Sequence, residues 1–233
     1  MSSKRITAIA VAVAALTAVV GTLVHANAYL TGTAVVLCAL VPFFASFECR
    51  RPQARELVVL ATLVALAVVA RVAFAPIPHF KPTAAVVMIA GIAFGARTGF
   101  LVGASSMLVS NFLFGQGPWT PWQMLAFGVA GLVAGALADR GVILRRNLSW
   151  LQRVALAVGG FTLVVCIVGP LLDTCSLLMM ASVITPATAA AIYLAGLPVN
   201  AIHGGATFLT LLLMANPLLG IFSRVRVKYG LLE

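Results

Sequence analysis

Residues 111–124 hold the densest group of side chains in the sequence that could recognise a small molecule. The stretch reads Asn-Phe-Leu-Phe-Gly-Gln-Gly-Pro-Trp-Thr-Pro-Trp-Gln-Met. It joins amides, which donate and accept hydrogen bonds, to aromatic rings, which stack on flat ligands, and Gly-Pro turns fix its backbone. This chemistry suits an uncharged heteroaromatic or macrocyclic ligand. Alternatively, the tryptophans belong to an aromatic belt and only anchor a helix end at the lipid headgroups. The candidate binding residues are Asn111, Gln116, Trp119, Trp122 and Gln123.

A second polar group surrounds a proline-rich loop. Arg71 precedes residues 75–82, Ala-Pro-Ile-Pro-His-Phe-Lys-Pro. Three prolines hold this loop extended and stiff, so it could cap a pocket. We therefore add Arg71, His79 and Lys81 to the candidate binding residues.

Asn200 and His203 form a third candidate pair. They are three residues apart in an apolar segment, so they share one helix face. Polar side chains at such depth are costly unless they face a cavity or a partner. Contact with a ligand and an interhelical hydrogen bond are both compatible with this pattern.

Sequence signatures of catalysis are missing. The chain has no G-x-x-x-x-G-K-[ST] phosphate loop, no H-E-x-x-H zinc pair, no G-x-S-x-G elbow and no paired carboxylates. All five acidic residues are expected at segment ends, in loops or at the terminus, with Asp173 alone on the outer side. His203 is then the only ionisable group at mid-depth. The sequence predicts no enzyme, no metal site and no cofactor, and energy for any transport would come from elsewhere.

The elements that position these residues are predicted membrane helices. The chain is 62% hydrophobic and 9% charged, which is too apolar for a soluble core of 233 residues. A membrane crossing needs about 20 apolar residues. Eight spans are predicted, the short fourth and fifth of which could form one bent hairpin. Their bounds are 6–24, 30–47, 56–74, 83–95, 98–113, 122–138, 154–172 and 189–215.

Charge bias sets the predicted orientation. With the amino terminus inside, thirteen of the fifteen lysines and arginines face the cytoplasm, and only Arg71 and Lys81 lie outside. An even number of crossings places both termini in the cytoplasm. Ala26-Asn27-Ala28 also resembles a signal-peptide cleavage site, and cleavage there would leave seven spans.

The predicted spans fall into two units. Residues 1–52 form an N-terminal transmembrane helix pair that ends in a basic stretch including Arg50 and Arg51, and residues 53–233 form a six-helix unit. Small residues four apart indicate close helix packing in lipid, within the chain or with a partner protein. Such residues are Gly91, Gly95, Gly99 and Gly103, then Gly131 and Gly135, and also Ala61 and Ala65 on the third span.

Four stretches of the six-helix unit carry a family resemblance. They are residues 79–95, 99–103 and 110–112 and the run Gly-Gln-Gly-Pro-Trp-Thr-Pro-Trp-Gln-Met at 115–124. Together they resemble the substrate-specific (S) components of energy-coupling factor (ECF) transporters, most of all the cobalamin-type subgroup. The likeness covers roughly residues 55–220.

The resemblance implies an all-α membrane protein with a six-helix S-component bundle, in the plasma membrane. The two additional N-terminal helices at residues 1–52 depart from the minimal six-helix family, although some relatives carry such extensions. It implies capture of a vitamin or precursor, with cobalamin or a related compound expected, from outside the cell. The partners would be a transmembrane T-component and two ATPase subunits. In that family an A-x-x-x-A face on the first helix docks on the T-component, and Ala61 and Ala65 match it.

Rival functions make different predictions. A self-sufficient ion-coupled secondary transporter of a small organic solute would need His203 and would work without partners. A membrane enzyme would need a catalytic group that this sequence does not offer. A scaffold protein would bind no small molecule, and its tryptophan-rich loop would be only an interfacial anchor.

Overall fold

The computed structural model describes residues 3–24, 26–49, 52–181 and 183–229. Arg50, Arg51 and the terminal Glu233, to which the charge analysis refers, lie outside the described residues. The described residues form eight helices and no strands. They are α1 (Ser3–Leu23), α2 (Ala28–Glu48), α3 (Ala54–Ala73), α4 (Thr83–Phe94), α5 (Ala96–Phe114), α6 (Thr120–Asp139), α7 (Trp150–Met180) and α8 (Pro186–Tyr229).

The all-helical membrane fold predicted from the sequence is confirmed. Six helices in the described part of the chain are long and apolar enough to cross a bilayer, and α4 and α5 are not among them. Successive helices alternate in direction. We call the end that carries the loops 74–82 and 115–119 the predicted outer end, and the end where α1 begins and α8 finishes the predicted inner end.

Helix α4 is the centre of the bundle. It contains only 12 residues, about 18 Å of helix, yet every one of them is buried. Its sequence is entirely apolar except for Thr83, because helices α3, α5, α6 and α8 surround it. An enclosed helix does not need to match the thickness of the membrane.

A tight hairpin joins α4 to α5. Gly95 is the single residue between them and has φ 92°, a left-handed conformation that favours glycine. The carboxylate of Asp139, at the end of α6, accepts a hydrogen bond from the Ala96 N–H at 3.0 Å and pairs with Arg145. The two short apolar runs, the predicted fourth and fifth spans, therefore form a bent hairpin, which is one of the two arrangements that the sequence allowed.

The glycine spacing corresponds to contacts within the chain. A Cβ atom at Gly91 or Gly99 would collide with the carbonyl oxygen of Gly131, and one at Gly135 would lie 2.5 Å from the Cα of Ala96. Helices α4, α5 and α6 therefore approach one another backbone to backbone. The interpretation of these glycines as packing contacts inside the bundle is confirmed.

The N-terminal helices pack on the remaining six through α2. The rings of Phe43 in α2 and Phe100 in α5 stack with their centroids 3.6 Å apart. Val36 and Leu40 of α2 share a core cluster with Phe100 and with Trp122 of α6. Helix α1 packs mainly against α2 and leaves most of its apolar surface uncovered by protein.

The last two helices are longer than the predicted spans. α7 continues through a π-helical segment, Val164–Val168, and past Pro170 to Met180 instead of ending at 172. Pro170 has no N–H to donate, and a π segment is a usual way to absorb such a break. The expectation that Asp173 lies at a segment end or in a loop is therefore wrong, since Asp173 lies inside α7.

Candidate functional site

Arg71 ties the end of α3 to the end of α5. Its Nη1 atom donates to the Ser110 hydroxyl at 2.5 Å and to Asn111 Oδ1 at 2.8 Å. The guanidinium carbon lies 4.8 Å from the centre of the Phe114 ring, within cation–π range. A charged group at this depth is thus held by hydrogen bonds and an aromatic face.

Asn111 links three helices at the predicted outer end. Its side chain is 1% exposed, accepts from Arg71, and donates to Thr120 Oγ1 at 3.0 Å and to Gln123 Oε1 at 2.8 Å. The structure therefore joins Arg71, Asn111 and Gln123, all three predicted as binding residues, into one polar network across α3, α5 and α6.

Gln116 and Thr120 close the loop at 115–119 on this network. The Thr120 hydroxyl donates to Gln116 Oε1 at 3.0 Å, and Gln116 Nε2 donates to the Leu108 carbonyl at 2.9 Å. Thr120 was not among the predicted residues. The sequence feature that could have identified it is its position between two prolines at the start of α6. A hydroxyl there can form hydrogen bonds with both the loop and the helix.

The two tryptophans of the loop have different surroundings. Trp122 is 5% exposed, and its indole N–H donates to the Thr33 hydroxyl of α2 at 3.1 Å. Trp119 is 38% exposed at the N-terminus of α6. Nearby, the Tyr29 hydroxyl of α2 donates to the Pro118 carbonyl at 2.6 Å. Trp122 thus serves the junction with the N-terminal helices, and Trp119 remains at the surface.

The proline-rich loop is closed by Lys81. Its ammonium donates to the carbonyls of Phe74, Ala75 and Ile77 at 2.5, 3.0 and 2.9 Å, which engages all three of its N–H donors. A cation on these carbonyls also offsets the partial negative charge at the end of α3. Partial burial, and secondarily the charge of Arg71, lower the pKa of Lys81. His79 is exposed, with φ 58°.

Asn200 and His203 do not share a partner. Asn200 is 7% exposed and donates to Asp173 Oδ2 of α7 at 2.8 Å. The His203 ring lies 5.6 Å from the ring of Phe127 on α6. Beside the Asp173 contact, the hydroxyls of Thr174 and Tyr193 lie 2.6 Å apart. Asp173, Thr174 and Tyr193 were not among the predicted binding residues, because their contacts depend on the length of α7.

Two buried polar atoms near the predicted outer end have no hydrogen-bond partner among the described residues. They are the hydroxyl of Thr83, which is 0% exposed at the start of α4, and Nε2 of His203. The His203 ring packs against Phe127, which lies about two turns into α6 from the predicted outer end. Buried polar groups normally have partners, so such atoms mark positions that a bound ligand could satisfy. Thr83 was missed by the sequence reasoning.

Other features of the described structure lie away from this network. Cavities of about 500 and 530 Å³ open near the predicted inner end, one between α6 and α7 and one beside α1 and α2. No group of three or more His, Cys, Asp or Glu residues in the described ranges could hold a metal ion. The polar network offers amide, hydroxyl and guanidinium groups to an organic ligand, and His203 adds an imidazole.

The docking residues predicted on α3 lie on its uncovered side. Ala61 and Ala65 are exposed, as are Val58 and Val69 along the same face. The opposite face, including Leu63 and Ala67, is buried against the bundle. A partner helix could reach the two alanines without displacing any part of this chain.

Comparison with known proteins supports a family assignment. A family model described as "ECF-type riboflavin transporter, S component" matches residues 52–219, which is well over half of the chain. No curated protein matches significantly. No solved structure does so either. The match supports an S component, but its name points to riboflavin and gives no support to the cobalamin-type subgroup.

Proposed function

Because the chain belongs to the family of ECF-type riboflavin transporter S components, we propose that it captures riboflavin for import. Membership of this family implies a vitamin-like substrate and ECF partner subunits, a T-component and ATPases. S components are transport subunits and not enzymes, so ATP hydrolysis would take place in the partners. The family match is the single observation that carries this proposal.

The chemistry of the predicted outer end supports a flat heteroaromatic ligand. Riboflavin has an aromatic ring system whose edge carries hydrogen-bond donors and acceptors, and a chain of hydroxyl groups. Amides and hydroxyls around Asn111 and Gln123 could pair with those groups, and aromatic rings could cover the flat face. A cobalamin-type substrate would need evidence beyond the family match.

We place the ligand beneath the loops at 74–82 and 115–119. The unpartnered atoms of Thr83 and His203 would be its first hydrogen-bonding contacts, because a ligand group there would relieve two unsatisfied buried atoms. The network of Arg71, Asn111 and Gln123 would shape the pocket and contribute to binding. The other predicted residues, His79, Lys81, Gln116, Trp119, Trp122 and Asn200, would support the loops and helices around it.

The partner contact and orientation complete the proposal. Ala61 and Ala65 would let a T-component helix approach α3 closely, as small residues do in lipid. Both termini would lie in the cytoplasm, because the positive charges then follow the positive-inside rule. Residues 1–52 would be a helix pair added to a substrate-binding domain of residues 53–233.

The test is ligand binding by the purified chain in detergent, measured by calorimetry with riboflavin, cobalamin and a panel of other vitamins. A His203→Phe variant keeps an aromatic ring against Phe127 but removes the unpartnered nitrogen. We expect tight riboflavin binding that this substitution weakens about tenfold, the value of one well-placed hydrogen bond. A folded chain that binds no riboflavin would refute the proposal, and binding of cobalamin instead would move it to the cobalamin subgroup.

A further inference from the structure

A cavity of about 530 Å³ lies at the predicted inner end, at the junction of the N-terminal helices with the rest of the bundle. Its walls come from α1 and α2 and from the adjoining parts of α5 and α6. They are mostly small and apolar, for example Ala10 and Ala39. In a bilayer, such a cavity would meet acyl chains.

Among the described residues that line this cavity, Arg97 is the only charged one and none is a carboxylate. In the described part of the chain, Arg97 forms neither an ion pair nor a hydrogen bond through its side chain. The nearby carboxylate of Asp139 already accepts a hydrogen bond from the Ala96 N–H and forms an ion pair with Arg145. An unpaired arginine beside apolar walls is expected to attract an anion that carries its own apolar part.

A second observation favours an anion at this place. Arg97 lies in the first turn of α5, where the partial charge of the helix is positive. A cation is unfavourable there, and the carboxylate at this helix start, Asp139, is already paired with Arg145, so the charge of Arg97 is not compensated by it. Ser46 of α2 also lines the cavity, but its hydroxyl already donates to the Phe43 carbonyl at 3.0 Å. The guanidinium of Arg97 therefore provides the donors for a phosphate group.

We propose that this cavity binds an anionic phospholipid, with an acyl chain against the walls from α1 and α2 and the phosphate on Arg97. Basic pockets between transmembrane helices near the cytoplasmic surface are a known way to hold such headgroups. Free phosphate would use only the arginine and would leave the apolar walls without contact. The lipid would join the N-terminal helix pair to α5 and α6. The proposal does not depend on which vitamin the chain captures.

The experiment is native mass spectrometry of the purified full chain with phosphatidylglycerol and phosphatidylcholine of identical acyl chains. We expect the anionic lipid to bind at least about fivefold more tightly, as one well-placed cation allows. Arg97→Gln should abolish that preference. Arg140→Gln, which removes an exposed arginine at the same end of the bundle, should keep it. Ala39→Leu, which fills part of the cavity, should weaken both lipids.

Three results would overturn the proposal. They are equal binding of the two lipids, a preference that survives Arg97→Gln, and displacement of the lipid by inorganic phosphate. Size-exclusion chromatography of each variant confirms that the chain is folded, and Ala39→Leu provides a second test that leaves the arginine in place. Riboflavin binding is measured on the same samples, so a failure of the vitamin proposal is seen separately.

Discussion

The hydroxyl of Thr83 allows a test in which stability and affinity move in opposite directions. This side chain is 0% exposed, and its oxygen has no partner among the described residues. An unsatisfied buried polar group costs about 1–3 kcal/mol, so Thr83→Val should stabilise the ligand-free chain by roughly that amount. If riboflavin bonds to the hydroxyl, the same substitution removes a contact of about 0.5–1.5 kcal/mol, or about two- to tenfold in Kd.

The assay is thermal unfolding in detergent together with quenching of riboflavin fluorescence. For a chain of this size each kcal/mol corresponds to about 2–4 °C, so we expect the ligand-free Tm of Thr83→Val to rise by at least about 2 °C. Thr62→Val is the matched control, because its hydroxyl is on the uncovered side of α3 and bonds only to the Val58 carbonyl. A lowered Tm, or an affinity equal to that of the control, would refute the reasoning.

Three further predictions concern the helix contacts. Ala65→Leu should leave vitamin binding by the isolated chain unchanged but reduce uptake with the partner subunits about tenfold or more. Ala15→Leu on α1 is the control and should not reduce uptake. Equal uptake by the two variants would exclude docking through this face of α3. Trp122→Phe loses one hydrogen bond to α2 and should cost about 0.5–1.5 kcal/mol in thermal unfolding; a tenfold loss of affinity would instead show that the indole touches the ligand. Gly99→Ala collides with a carbonyl of α6 and should destabilise by about 1–3 kcal/mol or more, so an unchanged Tm would contradict the packing.

The helical membrane fold could be predicted because it follows from local properties. In lipid every backbone polar group must be satisfied within the segment, so long apolar runs form helices. Glycines at four-residue spacing likewise predicted close packing before any contact was known, since only a missing side chain allows backbones to meet. The ends of α7 and α8 were less predictable. In α7, Pro170 and Asp173 are residues expected at a helix end, and the partner that accommodates Asp173 inside the helix, Asn200, is known only from the tertiary structure.

The sequence by itself determined which residue types are available for binding, and it placed them at one end of the bundle. The tertiary structure decided which of them act together. Arg71 is 40 residues from Asn111 in the chain, and these two residues and Gln123 meet only because α3, α5 and α6 pack side by side. The direction of the Trp122 side chain depended on α2, which lies almost ninety residues earlier in the chain. Pairings of this kind are set by helix packing, which no local pattern of residues encodes.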